Sequence, residues 1–143
     1  MKRVVEKNNL SHIAGEVLEL MKDTNINLCF LKGDLGAGKT TFAREIAKKL
    51  GIKEGITSPT FNIMKTYKIP KGYRKNFIHI DAYRLGEGDD LGFDIKDMLD
   101  DKSNMIFVEW PDYISGLKDI DRIEVEILHT DDLEKRIFRI LNK

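Results

Sequence analysis

The chain has a single cysteine, Cys29, among 143 residues. A disulfide framework is impossible, a cysteine-based zinc site lacks its ligands, and one thiol inside an apolar run fits a reducing compartment. Proline is scarce: Pro59, Pro70 and Pro111 each punctuate a boundary, and none builds a linker. An excess of one charge is missing too, with 24 Lys plus Arg against 24 Asp plus Glu. That balance argues against holding nucleic acid by general electrostatics, which rests on surplus cations. No apolar run reaches the roughly 18 residues of a membrane span. The start, Met1-Lys2-Arg3-Val4-Val5, has no apolar core of a secretory signal. The expectation is a cytoplasmic protein with no membrane association. No repeat or low-complexity tract is visible. What is present is a globular balance, 41% hydrophobic and 34% charged residues. A chain of this length reads as one domain over 1–143, able to bury roughly 68–70% of its unfolded surface without staples.

Apolar positions at spacings of three and four predict an amphipathic helix over 10–22, capped by Asn8 or Asn9. Leu28-Cys29-Phe30-Leu31 is a short apolar run ending at Gly33, the pattern of a fully buried strand. Helical spacing returns over 39–50, with Gly51 at its C-terminal cap. Strands are predicted over 60–69, over 77–80 ending in Asp81, and over 105–108 ending in Glu109. A short helix over 94–102 starts on Asp94. Residues 122–128 alternate as a half-exposed strand, and 136–141 form its partner across a turn at Asp131-Asp132. Buried strands interleaved with helices, then a hairpin, predict an α/β fold with a mostly parallel central sheet and antiparallel additions.

Gly33-Asp34-Leu35-Gly36-Ala37-Gly38-Lys39-Thr40 satisfies G-x-x-x-x-G-K-[ST]. Its glycines allow a loop whose N–H groups converge on a phosphate, and the helix that follows adds the positive end of its dipole. Lys39 places a cation between the terminal phosphates, and the Thr40 hydroxyl is a ligand for Mg²⁺. A strand before the loop and a helix after it complete a P-loop NTPase-like three-layer arrangement. Asp81 and Glu109 end two buried strands, at the edge where a phosphate loop lies. One would hold Mg²⁺; the other would orient a water or a substrate. Thr57-Ser58-Pro59-Thr60 reads either as a γ-phosphate sensor or as an ordinary turn. Trp110 reads equally as a lid and as core, and His79 as a hydrogen-bonded core residue. Residues 65–75 are basic and 87–101 acidic: solvated faces, or docking surfaces for a charged partner.

The loop, the Ser-Pro-Thr segment, His79-Ile80-Asp81-Ala82-Tyr83-Arg84-Leu85 and Glu109-Trp110-Pro111 occur together in an order that resembles the bacterial TsaE family. These are the P-loop ATPases of tRNA threonylcarbamoyladenosine biosynthesis. The resemblance spans nearly the whole chain. It implies a small ATPase, weak alone, that assists a TsaD–TsaB complex and meets tRNA only through it. It implies ATP and Mg²⁺ as ligands. Phosphates would be bound by Gly33 and by Leu35, Gly36, Ala37, Gly38, Lys39 and Thr40, with Thr41 beside them. The metal would be held by Thr40 and Glu109, and hydrolysis would be served by Asp81 and Lys39. Ser11 stands where the family usually has a threonine near the nucleotide, Arg136 near a basic position by the adenine, and Asp112 where glutamate is common. The competing reading is a small-molecule kinase, whose only candidate for an arginine-bearing lid is 70–76, with Arg74 and Lys75. A third reading is a nucleotide-gated binding module.

Overall fold

The structure, a computed structural model, describes residues 2–6, 9–56, 63–85 and 94–143. In chain order the elements are β1 (Lys2–Glu6), α1 (Leu10–Thr24), β2 (Leu28–Lys32), α2 (Lys39–Lys49), β3 (Met64–Lys68), β4 (Asn76–Asp81), α3 (Ile95–Asp100), β5 (Asn104–Glu109), β6 (Ile123–His129) and β7 (Lys135–Asn142). One seven-stranded sheet runs β1-β7-β6-β2-β5-β4-β3. Its centre, β6-β2-β5-β4, is parallel, and β7, β1 and β3 join antiparallel. The predicted α/β class therefore holds. Of the two predicted caps of α1, Asn9 makes no side-chain hydrogen bond and Asn8 lies outside the described residues; at its other end α1 stops on Asn25 in the left-handed region. Asp94 does cap α3, accepting from the Lys96 N–H at 2.9 Å.

The continuous apolar strands are central because both faces of the sheet are covered. Cys29, Leu31, Phe77, Phe107 and Val125 pack under α1 and α2, while Leu28, Phe30, Ile78, Ile80 and Val108 pack under α3 and the turns beside it. Two results depart from expectation. The N-terminal residues form an edge strand, β1, pairing Lys2 with Arg139 through Glu6 with Lys135. Only Val5 of its five residues is buried, so little in the pattern announces it. β6 is half-exposed only toward its end: Glu126, Leu128 and His129 reach solvent, while Ile123, Glu124 and Val125 are buried, Glu124 being 3% exposed. Lys32 at 3.1 Å, Arg122 at 2.9 Å and Lys143 at 3.6 Å surround that carboxylate.

Burial alone would raise the Glu124 pKa, but its bonds to Lys32 and Arg122 outweigh that and hold it below the usual range. A depressed folded-state pKa contributes stability above the unfolded value of about 4.3, lost as pH falls through the folded one. Denaturant titrations from pH 7 to pH 3 are therefore expected to show acid-labile stability that Glu124→Gln flattens. At pH 7 that variant should lose about 2 kcal/mol, the scale of a charged hydrogen bond. Parallel curves for the two proteins would refute the assignment.

Candidate functional site

β2 delivers the chain into the glycine-rich loop at the carboxyl edge of the sheet. Gly33 has φ +153°, and a Cβ there would stand 2.6 Å from the carbonyl oxygen of Ile127, so only glycine passes beside β6. The Ala37 N–H donates to the Asp34 carbonyl at 3.0 Å, and Gly38, at φ +111°, turns the chain into α2. Lys39 opens that helix and is 5% exposed. Its ammonium donates to the carbonyls of Gly33 at 2.6 Å and Asp34 at 3.0 Å, and lies 4.4 Å from the centroid of a Trp110 ring. Burial lowers its pKa, against the opposing pull of Glu109, Asp81 and Asp34.

β4 and β5 run parallel with Asp81 opposite Glu109. Because side chains alternate along a strand, His79 and Asp81 share the sheet face that Phe77 presents to the helices, and Glu109 shares it with Met105 and Phe107. Glu109 is 3% exposed and its Oε2 accepts from the Thr40 hydroxyl at 3.0 Å. The same oxygen lies 2.6 Å from Nε2 of His79, which is itself fully buried. Asp81 accepts from the Tyr83 N–H at 3.1 Å. Its pKa is raised, first by burial and then by the neighbouring charge of Glu109. These groups and the loop enclose a cavity of about 270 Å³. Trp110 closes one side. It sits at φ +60°, a strained position for its type, with its ring 5.9 Å from Tyr113 in a stack and 5.0 Å from Tyr83. It is thus a partly buried wall of the site, not a core residue.

The structure brings Leu35, Gly36, Gly38, Lys39, Thr40, Thr41, Asp81 and Glu109 to this one cavity. On the other side of the loop a smaller cavity of about 160 Å³ joins Ala37 and Thr41 to Leu10, Arg136 and Phe138. Arg136 is buried and donates to the Ala37 carbonyl at 3.3 Å, tying β7 to the loop. Gly33 and Asp112 line a third, separate depression, and Ser11 is exposed beside a hollow formed with Arg3, His12 and Lys49. Thr57 to Thr60 and the acidic residues before Asp94 lie outside the described residues. The proposed kinase lid is elsewhere. Arg74 is 2% exposed and donates to the carbonyls of Lys102 at 2.6 Å and Ile26 at 3.2 Å. Those contacts lie just before β4 and β5 begin, at the opposite edge of the sheet from Asp81 and Glu109. Sequence reasoning placed His79 in the core and missed its contact with Glu109; it also missed Tyr83 and Phe138.

Comparison with known proteins bears on what this site serves. The model of the family described as Threonylcarbamoyl adenosine biosynthesis protein TsaE matches residues 4–137. The chain is 38% identical over 119 residues to tRNA threonylcarbamoyladenosine biosynthesis protein TsaE of Rickettsia bellii, covering 82% of this chain and 78% of that one. It is 35% identical over 129 residues to the protein of the same name in Aquifex aeolicus, covering 89% and 86%. The crystal structure of YdiB from Bacillus subtilis matches with a TM-score of 0.73 and 26% identity, over 100% of this chain and 86% of the other. Among the described residues no helix is long and apolar enough to cross a membrane.

Proposed function

The chain belongs to the TsaE family of tRNA threonylcarbamoyladenosine biosynthesis, and on that footing we propose that it is a P-loop NTPase-like ATPase acting as an accessory protein in that pathway. The observation that carries the reading is the convergence of Thr40 and Glu109, 3.0 Å apart, beside Lys39 and Asp81 in one cavity at the mouth of the glycine-rich loop. Loop N–H groups and the start of α2 supply positive dipoles for phosphate oxygens. Lys39 would exchange its two loop carbonyls for the terminal phosphates of ATP.

The donor set fits Mg²⁺. A hydroxyl and a carboxylate are hard oxygen ligands, and Mg²⁺ commonly takes only one or two protein ligands alongside water and phosphate. Electrostatics fit as well, since the Glu109 charge raises the Asp81 pKa and a cation between the two acids would relieve that repulsion. Thr40 and Glu109 would hold the ion, which supplies charge neutralisation at the phosphates. Asp81, poised as a base by its raised pKa, orients the attacking water and accepts its proton. In this reading the protein works in the cytoplasm, its turnover rises on docking to a TsaD–TsaB complex, and it meets tRNA through that complex. The burial of Arg74 removes the support for a kinase.

Two measurements test this reading together. By calorimetry, Lys39→Ala should bind ATP about 10–150-fold more weakly, the worth of a charge-assisted contact. Steady-state phosphate release should be slow for the protein alone and rise with a TsaD–TsaB complex and tRNA, less so at high salt if the exposed lysines of 65–75 help to dock it. Unchanged binding by Lys39→Ala would remove the nucleotide site. Full activity without the complex would remove the accessory role.

A further inference from the structure

We propose that His79 is a positioning residue for Glu109, fixing the carboxylate in the orientation from which it holds Mg²⁺. The inference rests on the metal reading above and adds a residue to it. His79 sits in the middle of β4, 0% exposed, with Phe107 of β5 and Lys65 of β3 as its register partners and the acids Asp81 and Glu109 on its own face. Packing does not call for an imidazole there, since a leucine or methionine would fill the space without burying ring nitrogens. One nitrogen is in fact uncompensated, because Nδ1 is buried with no hydrogen-bond partner among the described residues. The other, Nε2, lies 2.6 Å from Glu109 Oε2. With no partner for Nδ1 among the described residues, Nε2 is the nitrogen placed to donate, and it faces the carboxylate.

Thr40 and His79 thus grip the same oxygen from α2 and from β4. The Thr40 hydroxyl is half-buried in the first turn of α2, whereas His79 is fully buried within the sheet. The more deeply buried of the two donors defines where the carboxylate stands. Partners that orient a metal ligand from behind typically change metal affinity 10–100-fold when removed. The role is to hold Glu109, so its loss should appear in the Mg²⁺ dependence of nucleotide binding and not in nucleotide binding itself.

The experiment measures ATP affinity in EDTA and in excess MgCl₂, by calorimetry or by the fluorescence of Trp110, the only tryptophan of the chain. Parent protein, Glu109→Ala, His79→Leu and His79→Gln are compared. The parent should gain affinity with Mg²⁺ and Glu109→Ala should not; if the parent shows no gain, the metal reading itself fails, independently of His79. Given that gain, His79→Leu, which fills the space without a donor, should lose about tenfold or more of it and keep the affinity seen in EDTA. His79→Gln, which restores an N–H donor, should recover part of the loss. The proposal is overturned if His79→Leu keeps the full gain, if it weakens binding equally in EDTA and MgCl₂, or if His79→Gln is no better. It needs no variant to fail: ¹⁵N spectra of the parent should place the imidazole proton on Nε2, and a proton on Nδ1 alone would overturn it.

Discussion

Asp81→Asn is expected to slow ATP hydrolysis by about 10²–10⁴-fold, the usual share of a general base. Nucleotide affinity should stay within about threefold, because in the proposed role the group acts on the attacking water and not on the bound phosphates. Asparagine keeps the size of the side chain and an oxygen able to accept from the Tyr83 N–H, so the end of β4 retains its shape. What it removes is a carboxylate whose basicity is enhanced by burial and by the charge of Glu109. The same shift has a sign for stability. A folded-state pKa above the unfolded one means that the ionised group costs stability at neutral pH. The ligand-free variant should therefore melt no lower than the parent, which separates lost chemistry from lost folding. Steady-state phosphate release and calorimetric affinity decide it. A variant that hydrolyses ATP at more than a tenth of the parent rate, or loses binding in step with turnover, would return Asp81 to a structural role.

The second large effect lies at the far edge of the sheet. Arg74→Ala should cost about 3 kcal/mol, because it empties the space of a fully buried side chain and takes charged donors from the carbonyls of Lys102 and Ile26. For a chain of this size that is a fall of roughly 6–12 °C in melting temperature. Below the transition, ATP affinity should match the parent. An arginine acting as a lid would give the opposite pair of results, normal melting and impaired turnover, and that outcome would reopen the kinase reading.

The site was readable because its parts lie at ends of elements that announce themselves. Apolar runs stop at Gly33, Asp81 and Glu109, and parallel strands bring such ends to one edge. That reasoning set both acids beside the loop; the choice of Glu109 as the companion of Thr40 came only with the family resemblance. His79 was harder, because its partner sits on a different strand and the register between β4 and β5 is not written in either segment. The alternation Phe77, His79, Asp81 did hold a clue, since it put the histidine on the same face as the acid. β1 escaped notice because an edge strand with one buried residue has hardly any pattern. Glu124 misled for a related reason: alternation of Ile, Glu, Val and Glu looks like a wet face, yet three cations gathered from Lys32, Arg122 and Lys143 let one acid sit inside. The positive φ of Trp110 has no local signature at all.

The pairing of β1 with β7 has a kinetic side. It joins residue 2 to residue 139, so nearly the whole chain must be in place before the first hydrogen bond between these strands can form. Closing a loop of that span from an open chain costs on the order of 4 kcal/mol in entropy, and few buried side chains on β1 repay it early. Zipping of this edge therefore belongs to the end of folding, after the parallel centre has assembled. Val5 of β1 stands opposite Arg136, and the segment that follows β1 leads into Leu10. Leu10 and Arg136 are two walls of the cavity behind the glycine-rich loop. Its walls come from α1, the loop, α2 and β7 and not from β1, so a molecule that has collapsed but not zipped its edge already carries the loop, its acids and the hollow beside them, with only the flank of β7 still open to water.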